Sequence, residues 1–190
     1  LKKHIPRNAN NKNTMSGHNK WSKIKHKKAL TDAKKSKVFS KFAKLIQVES
    51  KKAGGNTDSP GLRAAIDKAK AENMPSSNIE KAVDKGKAGE GEHMEHLTFE
   101  TYGPGGSAVI IEALTDNNNR TSPEIKHILT KRGLALAAQH SATWAFDKVE
   151  GGGWQAKMPH EVSESDLEKL EGLIEELEDH EDVQGVYTNV

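Results

Sequence analysis

The spacing of apolar residues changes near residue 90, and that change restricts the chain to two modules of different kinds. Before it, Val38, Phe39, Phe42, Leu45 and Ile46 recur every three or four positions between Asp32 and Lys52, the pattern of one amphipathic helical face. Ser59-Pro60 then supplies an N-cap and a first-turn proline for a helix that carries Leu62, Ile66 and Ala69 inward and ends at Met74-Pro75. Ser77-x-x-Glu80 reads as a capping box for a third helix, with Ile79 and Val83 on one face and Gly86 as its stop. Three short helices of this kind bury their stripes in one bundle.

Beyond a Gly- and Glu-rich linker, Gly86 to Glu92, the pattern becomes extended. Leu97 and Phe99 among β-branched threonines predict a strand, Tyr102-Gly103-Pro104-Gly105-Gly106 a turn, and Ala108 to Leu114 a buried second strand. Ser122-Pro123 opens a predicted helix that closes at Gly133, and Ala142 to Phe146 reads as a third strand of the sheet. Ser165-x-x-Glu168 caps a last helix carrying Leu167, Leu170, Ile174 and Leu177, before a strand around Val183 to Thr188. The expected fold class is α+β: a three-helix bundle followed by a small ferredoxin-like domain with a mixed or antiparallel sheet and its helices on one face. The expected divisions are a disordered basic extension at 1–14, a basic helical domain at 15–90 and an α+β domain at 91–190.

Charge is as unevenly distributed as hydrophobicity. Residues 1 to 52 hold sixteen Lys and Arg against two acids, a net of +14, whereas residues 149 to 190 hold two lysines against twelve carboxylates, a net of −10. A formal charge of +2 for the whole chain conceals this. Such asymmetry points to a polyanionic partner for the first segment and a solvated, repelling surface at the other end. The absence of cysteine removes disulfides, thiolate metal sites and cysteine nucleophiles, and fits a reducing compartment. The longest apolar stretch, Ala108 to Leu114, is far too short to span a bilayer, so no membrane partner is expected. Residues 1 to 14 are basic and acid-free but too polar for an amphipathic presequence, and with Met15 following they can equally be an upstream extension or part of the native chain. The expected location is the cytoplasm, with a mitochondrial address as the lesser alternative.

Within the basic segment, Gly17 to Lys28 interleaves an indole and two imidazoles with five lysines. Lysines neutralise phosphates and release counterions, and an exposed indole stacks on an unpaired base. The nucleic-acid-binding set is therefore His18, Lys20, Trp21, Lys23, Lys25, His26, Lys27 and Lys28, continued on the helix by Lys34, Lys35, Lys37 and Lys41. The bland alternative is a solvated tail with Trp21 folded onto the bundle. Arg7 is the one arginine among the first 52 residues. Guanine readout favours the bidentate guanidinium, so a lysine segment is suited to backbone and shape rather than to a DNA sequence.

Further along, Asp116, Asn117, Asn119, Arg120 and Thr121 lie between a strand and a helix, where polar groups either hold an anion or form Asx and capping bonds. The second reading is favoured, with Arg120 retained as a nucleic-acid contact. The turn at Gly103 to Gly106 lacks the Gly-Lys-Ser/Thr of a nucleotide loop. His93-x-x-His96 has too few companions for a zinc site, so neither metal nor cofactor is expected. The acidic group Glu178, Asp179, Glu181 and Asp182 opposes the dipole at a helix C-terminus, a weak sign of a partner.

Several of these segments resemble a known family. Gly17-His18-Asn19-Lys20-Trp21, Ile24-Lys25-His26, Ala64 to Lys70, Asn73-Met74-Pro75, Tyr102 to Gly106, Leu114 to Thr121 and Asp182 to Asn189 are similar to the YebC family, from Met15 to the end of the chain. The resemblance implies a regulator of gene expression without enzymatic activity, described both as a DNA-binding transcriptional regulator and, in the translational-activator branch, as a ribosome-associated factor. It also implies a third small domain, in place of which Val149-Glu150-Gly151-Gly152-Gly153 stands here, so a shortened member is expected. The favoured partner is RNA on the ribosome, with DNA as the alternative and a monomer as the favoured state. Two rival classes are a metal-assisted phosphodiesterase around Asp116 and the histidines, and a protein-only adaptor working through the acidic tail.

Overall fold

The computed structural model describes residues 32–89, 94–149 and 152–190. Three helices, α1 (Asp32–Ala53), α2 (Pro60–Ala71) and α3 (Ser76–Lys87), form the first module. Their apolar stripes meet as expected, with Ile46, Leu62, Ala65, Ala69, Met74, Ile79 and Ala82 buried and Phe39, Phe42 and Leu45 packed against them. Between α2 and α3, Asn73 adopts φ 62°. Asparagine tolerates this left-handed backbone better than most residues, which gives the Asn73-Met74-Pro75 motif a structural role.

Gly86 is not a helix stop. It lies buried inside α3, where a Cβ would stand 2.4 Å from the Gln47 carbonyl and 2.7 Å from the Ser50 Cβ. Its missing side chain lets α1 and α3 touch, and the buried Ser50 hydroxyl donates to the Val83 carbonyl at 2.7 Å across the same contact. The left-handed residue after α3 is Gly89, at φ 71°. The expected capping box at Ser77 is also absent: α3 begins at Ser76 after Pro75, with no side-chain cap.

The second module contains β1 (Glu95–Tyr102), β2 (Ala108–Thr115), α4 (Asn118–Lys131), β3 (Phe146–Lys148), β4 (Trp154–Ala156), α5 (Glu164–Glu178) and β5 (Val183–Thr188). β1, β2 and β5 form an antiparallel sheet with β2 in the centre. The alternation of β2 buries both of its faces. Val109 and Ile111 pack with Ile125 and Leu129 of α4 and with Leu170, Leu173, Ile174 and Leu177 of α5. Ala108 and Ile110 pack on the other side against Ala142, Ala145 and Phe146, with Trp154 and Tyr187 beside them.

The expected third strand, Ala142 to Phe146, is mostly something else. Thr143–Ala145 is a 3-10 turn, and β3 begins only at Phe146, pairing with β4 in a separate two-stranded hairpin. A small hairpin thus covers the face that the sequence reading left bare, and the helices keep the other.

Two helix starts also move. α4 opens at Asn117, whose side chain accepts the Arg120 N–H at 3.2 Å, so Pro123 lies inside the helix rather than at its start. α5 opens two residues before the expected cap: Ser163 Oγ accepts the Asp166 N–H at 3.1 Å and donates to its carboxylate at 2.8 Å. The β1–β2 turn is as read, with Gly105 and Gly106 at φ 68° and 81°, a region costly for other residues.

Candidate nucleic-acid interface

His18, Lys20, Trp21, Lys23, Lys25, His26, Lys27 and Lys28 lie outside the described residues. The rest of the expected basic set is placed. Lys34 and Lys35 are exposed near the start of α1. Lys37, Lys41 and Lys44 follow at helical spacing, and this stripe is turned towards the α+β module. Lys37 Nζ donates to the Asp179 carbonyl at 3.3 Å, Lys41 Nζ donates to the Glu178 carbonyl, and Lys44 Nζ donates to the Asp182 carboxylate at 2.8 Å.

The last turn of α5 holds no basic residue of its own. Carbonyls at a helix C-terminus have no intrahelical donors and carry the negative end of the dipole. Lysines of α1 supply the missing positive charge from another module. Of the acids read as a weak sign of a partner, Asp182 pairs with Lys44 and Arg120, and Glu181 with Arg120, within the chain.

Asp182 is the centre of the joint. Its side chain has no solvent exposure and accepts from Lys44 Nζ at 2.8 Å, Arg120 Nη2 at 2.7 Å and Thr121 Oγ1 at 2.7 Å. Burial alone would raise its pKa, but the bonds from Lys44, Arg120 and Thr121 outweigh that and hold the carboxyl well below the ordinary range. Thr121 Oγ1 also lies 2.8 Å from Thr115 Oγ1 at the end of β2. Arg120 reaches Asp116 at 3.2 Å and Glu181 at 3.7 Å as well. Its guanidinium, expected at the nucleic-acid interface, is thereby engaged by three carboxylates.

The segment from Thr115 to Thr121 is therefore a cap and a latch, in agreement with the Asx-and-capping reading. The interaction was not visible from spacing, because Lys44 and Asp182 are 138 residues apart.

Glu124, His180 and Asp182 bring one potential ligand atom each within 4.8 Å of one another. Both Asp182 oxygens already face cationic or hydroxyl donors, and His180 Nε2 lies 2.9 Å from the Glu124 carboxylate. This donor set is suited to an ion-pair network rather than to a cation. His93, the first histidine of the His-x-x-His pair, lies outside the described residues.

Asn189, in the final motif, is likewise structural: its side chain accepts the Ala108 N–H at 2.8 Å and donates to the Met158 carbonyl at 2.9 Å. Among the described residues, no helix is long and apolar enough to cross a membrane.

Comparison with known proteins gives a consistent result. The TACO1/YebC protein N-terminal domain matches residues 19–89, and the TACO1/YebC second and third domain matches residues 94–151 and 150–190. A probable transcriptional regulatory protein of Citrifermentans bemidjiense is 53% identical over 136 residues, covering 70% of this chain and 55% of that protein. The match thus spans little more than half of that relative's length. Another from Thermoanaerobacter pseudethanolicus is 39% identical over 240 residues, covering 93% of this chain and 97% of the relative. Coverage of that extent does not single the chain out as a shortened member.

The crystal structure of a conserved hypothetical protein from Aquifex aeolicus superposes with a TM-score of 0.77 at 31% identity, covering 90% of this chain and 96% of the other. With both modules matched in sequence and most of the fold matched in structure, the chain belongs to the TACO1/YebC family.

Proposed function

We propose that the protein is a nucleic-acid-binding regulator of gene expression that acts without covalent chemistry, gripping RNA on the ribosome through its lysine-rich N-terminal segment. The observation that carries this reading is the net +14 of residues 1 to 52. A segment of that charge binds a polyanion by releasing counterions. Lys37, Lys41 and Lys44 hold α1 against the α+β module, while Lys34 and Lys35 are exposed near the helix start. On this reading residues 17 to 35 make the grip, with Arg120 and the later lysines as its anchor.

The near absence of arginine from the first 52 residues favours backbone and shape recognition, and hence structured RNA over a promoter sequence. The names of the relatives support regulation in general, and those names favour the second reading, a DNA-binding transcriptional regulator. Crosslinking in cells followed by sequencing of the bound nucleic acid separates the two. Ribosomal RNA is the expected product; discrete promoter sites without ribosomal RNA would establish the transcriptional reading instead.

A further inference from the structure

Far from the lysines in sequence, the β3 side of the sheet carries an exposed aromatic pair with unusual support. Trp144 is 53% exposed and Tyr102 41%. They are joined to each other: the indole Nε1–H donates to the Tyr102 hydroxyl at 3.2 Å, and that hydroxyl donates to the Ser141 carbonyl. The loop beneath is held by Glu100, a carboxylate on β1 that is only 4% exposed. Glu100 accepts backbone N–H groups from His140 at 2.6 Å, Ala142 at 2.6 Å and Thr143 at 3.0 Å. His140 adopts φ 67° to make this turn. A buried carboxylate and a left-handed non-glycine residue are both unfavourable in isolation. Here they fix a loop that carries a half-exposed indole.

Lys157 and His160 are each bonded to the backbone of a turn adjoining one member of the pair. The Lys157 N–H donates to the Ala145 carbonyl at 2.9 Å, which places Lys157 beside the turn carrying Trp144. Its ammonium pairs with the exposed Asp147, at 3.0 Å. His160 Nε2 lies 2.8 Å from the Gly105 carbonyl, in the turn that follows Tyr102.

From this arrangement we infer that Trp144, positioned by Tyr102 and the Glu100-bound loop, is a stacking platform for an unpaired nucleobase, with Lys157 available to the adjoining phosphate. The inference rests on the proposed nucleic-acid-binding function and adds a second contact to it, on the other module. A planar ring fixed at low entropic cost suits base stacking, which tolerates any base because every base has a π-face. The platform would favour unpaired regions over duplex, a selectivity that lysines alone do not supply.

The test is fluorescence anisotropy with a labelled 12-nucleotide oligouridine and a labelled 12-base-pair RNA duplex at one fixed salt concentration. Wild type is compared with W144A, W144F and the K20A/K23A/K25A/K27A variant. Because Trp144 is half exposed, W144A is expected to keep the wild-type circular dichroism and melting temperature. Loss of one stacked base predicts roughly 5- to 150-fold weaker single-strand binding for W144A, partial recovery in W144F, and unchanged duplex binding.

Equal single-strand affinity of W144A and wild type, with the lysine variant weakened, would overturn the platform and leave the lysine grip standing. Equal losses on single strand and duplex would also overturn it. If wild type binds neither oligonucleotide, the nucleic-acid reading fails together with the platform. Binding of a labelled decaproline peptide that W144A abolishes, with oligouridine affinity unchanged, would reassign the aromatic pair to a protein ligand.

Discussion

Replacing Asp182 by Asn tests whether the two modules are joined as described. The substitution keeps the shape of the side chain, removes its charge and turns an NH2 group towards donors. Asp182 has no side-chain exposure, whereas Lys44 and Arg120 are 21% and 35% exposed. Removing one partner of a fully buried pair costs roughly 3–5 kcal/mol. Both cations retain access to water, which screens them, so a loss near the lower bound, about 3 kcal/mol, is expected. For a chain of this size that corresponds to a fall in melting temperature of roughly 6–12 °C.

The assay is urea unfolding and calorimetry of wild type, D182N, K44M and the double variant. The cycle should show coupling between Lys44 and Asp182 of about 1 kcal/mol or more. D182N should also separate the melting of the helical module from that of the α+β module.

The pH dependence has a definite sign. The folded pKa of Asp182 is depressed, so its contribution is present in full above the ordinary unfolded value of about 4 and declines as pH falls below it. The stability difference between wild type and D182N should therefore be largest near neutrality and narrow from about pH 4 downwards. A loss of less than about 0.5 kcal/mol at pH 7, with zero coupling to Lys44, would refute the latch.

Two further substitutions address the scaffold. Gly86→Ala places a Cβ 2.4 Å from the Gln47 carbonyl, so α1 and α3 must separate; a loss of roughly 1–3 kcal/mol is expected in urea titrations, and a neutral result would contradict the close approach. Glu100→Gln leaves an amide facing backbone donors at His140, Ala142 or Thr143, predicting about 1–3 kcal/mol of destabilisation and faster hydrogen exchange at those amides; unchanged exchange there would contradict the role of Glu100.

How far the sequence was legible depended on the range of the interactions involved. Periodicity located α1 within a residue of its limits, and the glycines at 105 and 106 announced the hairpin turn, because both signals are local. Competing local signals were harder to rank. Ser163 and Ser165 each precede an acid by three residues, and only the fold shows that Ser163 makes the cap. At α4 the Asn117 cap prevails over Ser122-Pro123, although Pro123 then lies past the first turn and gives up the N–H that would bond the Asn119 carbonyl. Gly86 looked like a stop because sequence does not distinguish a glycine needed for φ from one needed for closeness to another helix.

The joint was the least legible feature. Lysines at 37 and 41 read as contacts for phosphates, yet together with Lys44 they serve the C-terminal end of a helix about 140 residues away. The charge asymmetry that suggested an external polyanion is partly satisfied inside the molecule.

The central claim is tested most directly by measuring RNA affinity against salt for wild type and the K20A/K23A/K25A/K27A variant. If roughly six lysines contact phosphates of a duplex, wild-type affinity should fall by about three decades between 50 and 200 mM salt. The variant should bind more weakly and with a shallower slope, its fold intact. An affinity that does not change with salt, or equal affinities for the two proteins, would contradict the claim that the lysine-rich segment holds nucleic acid.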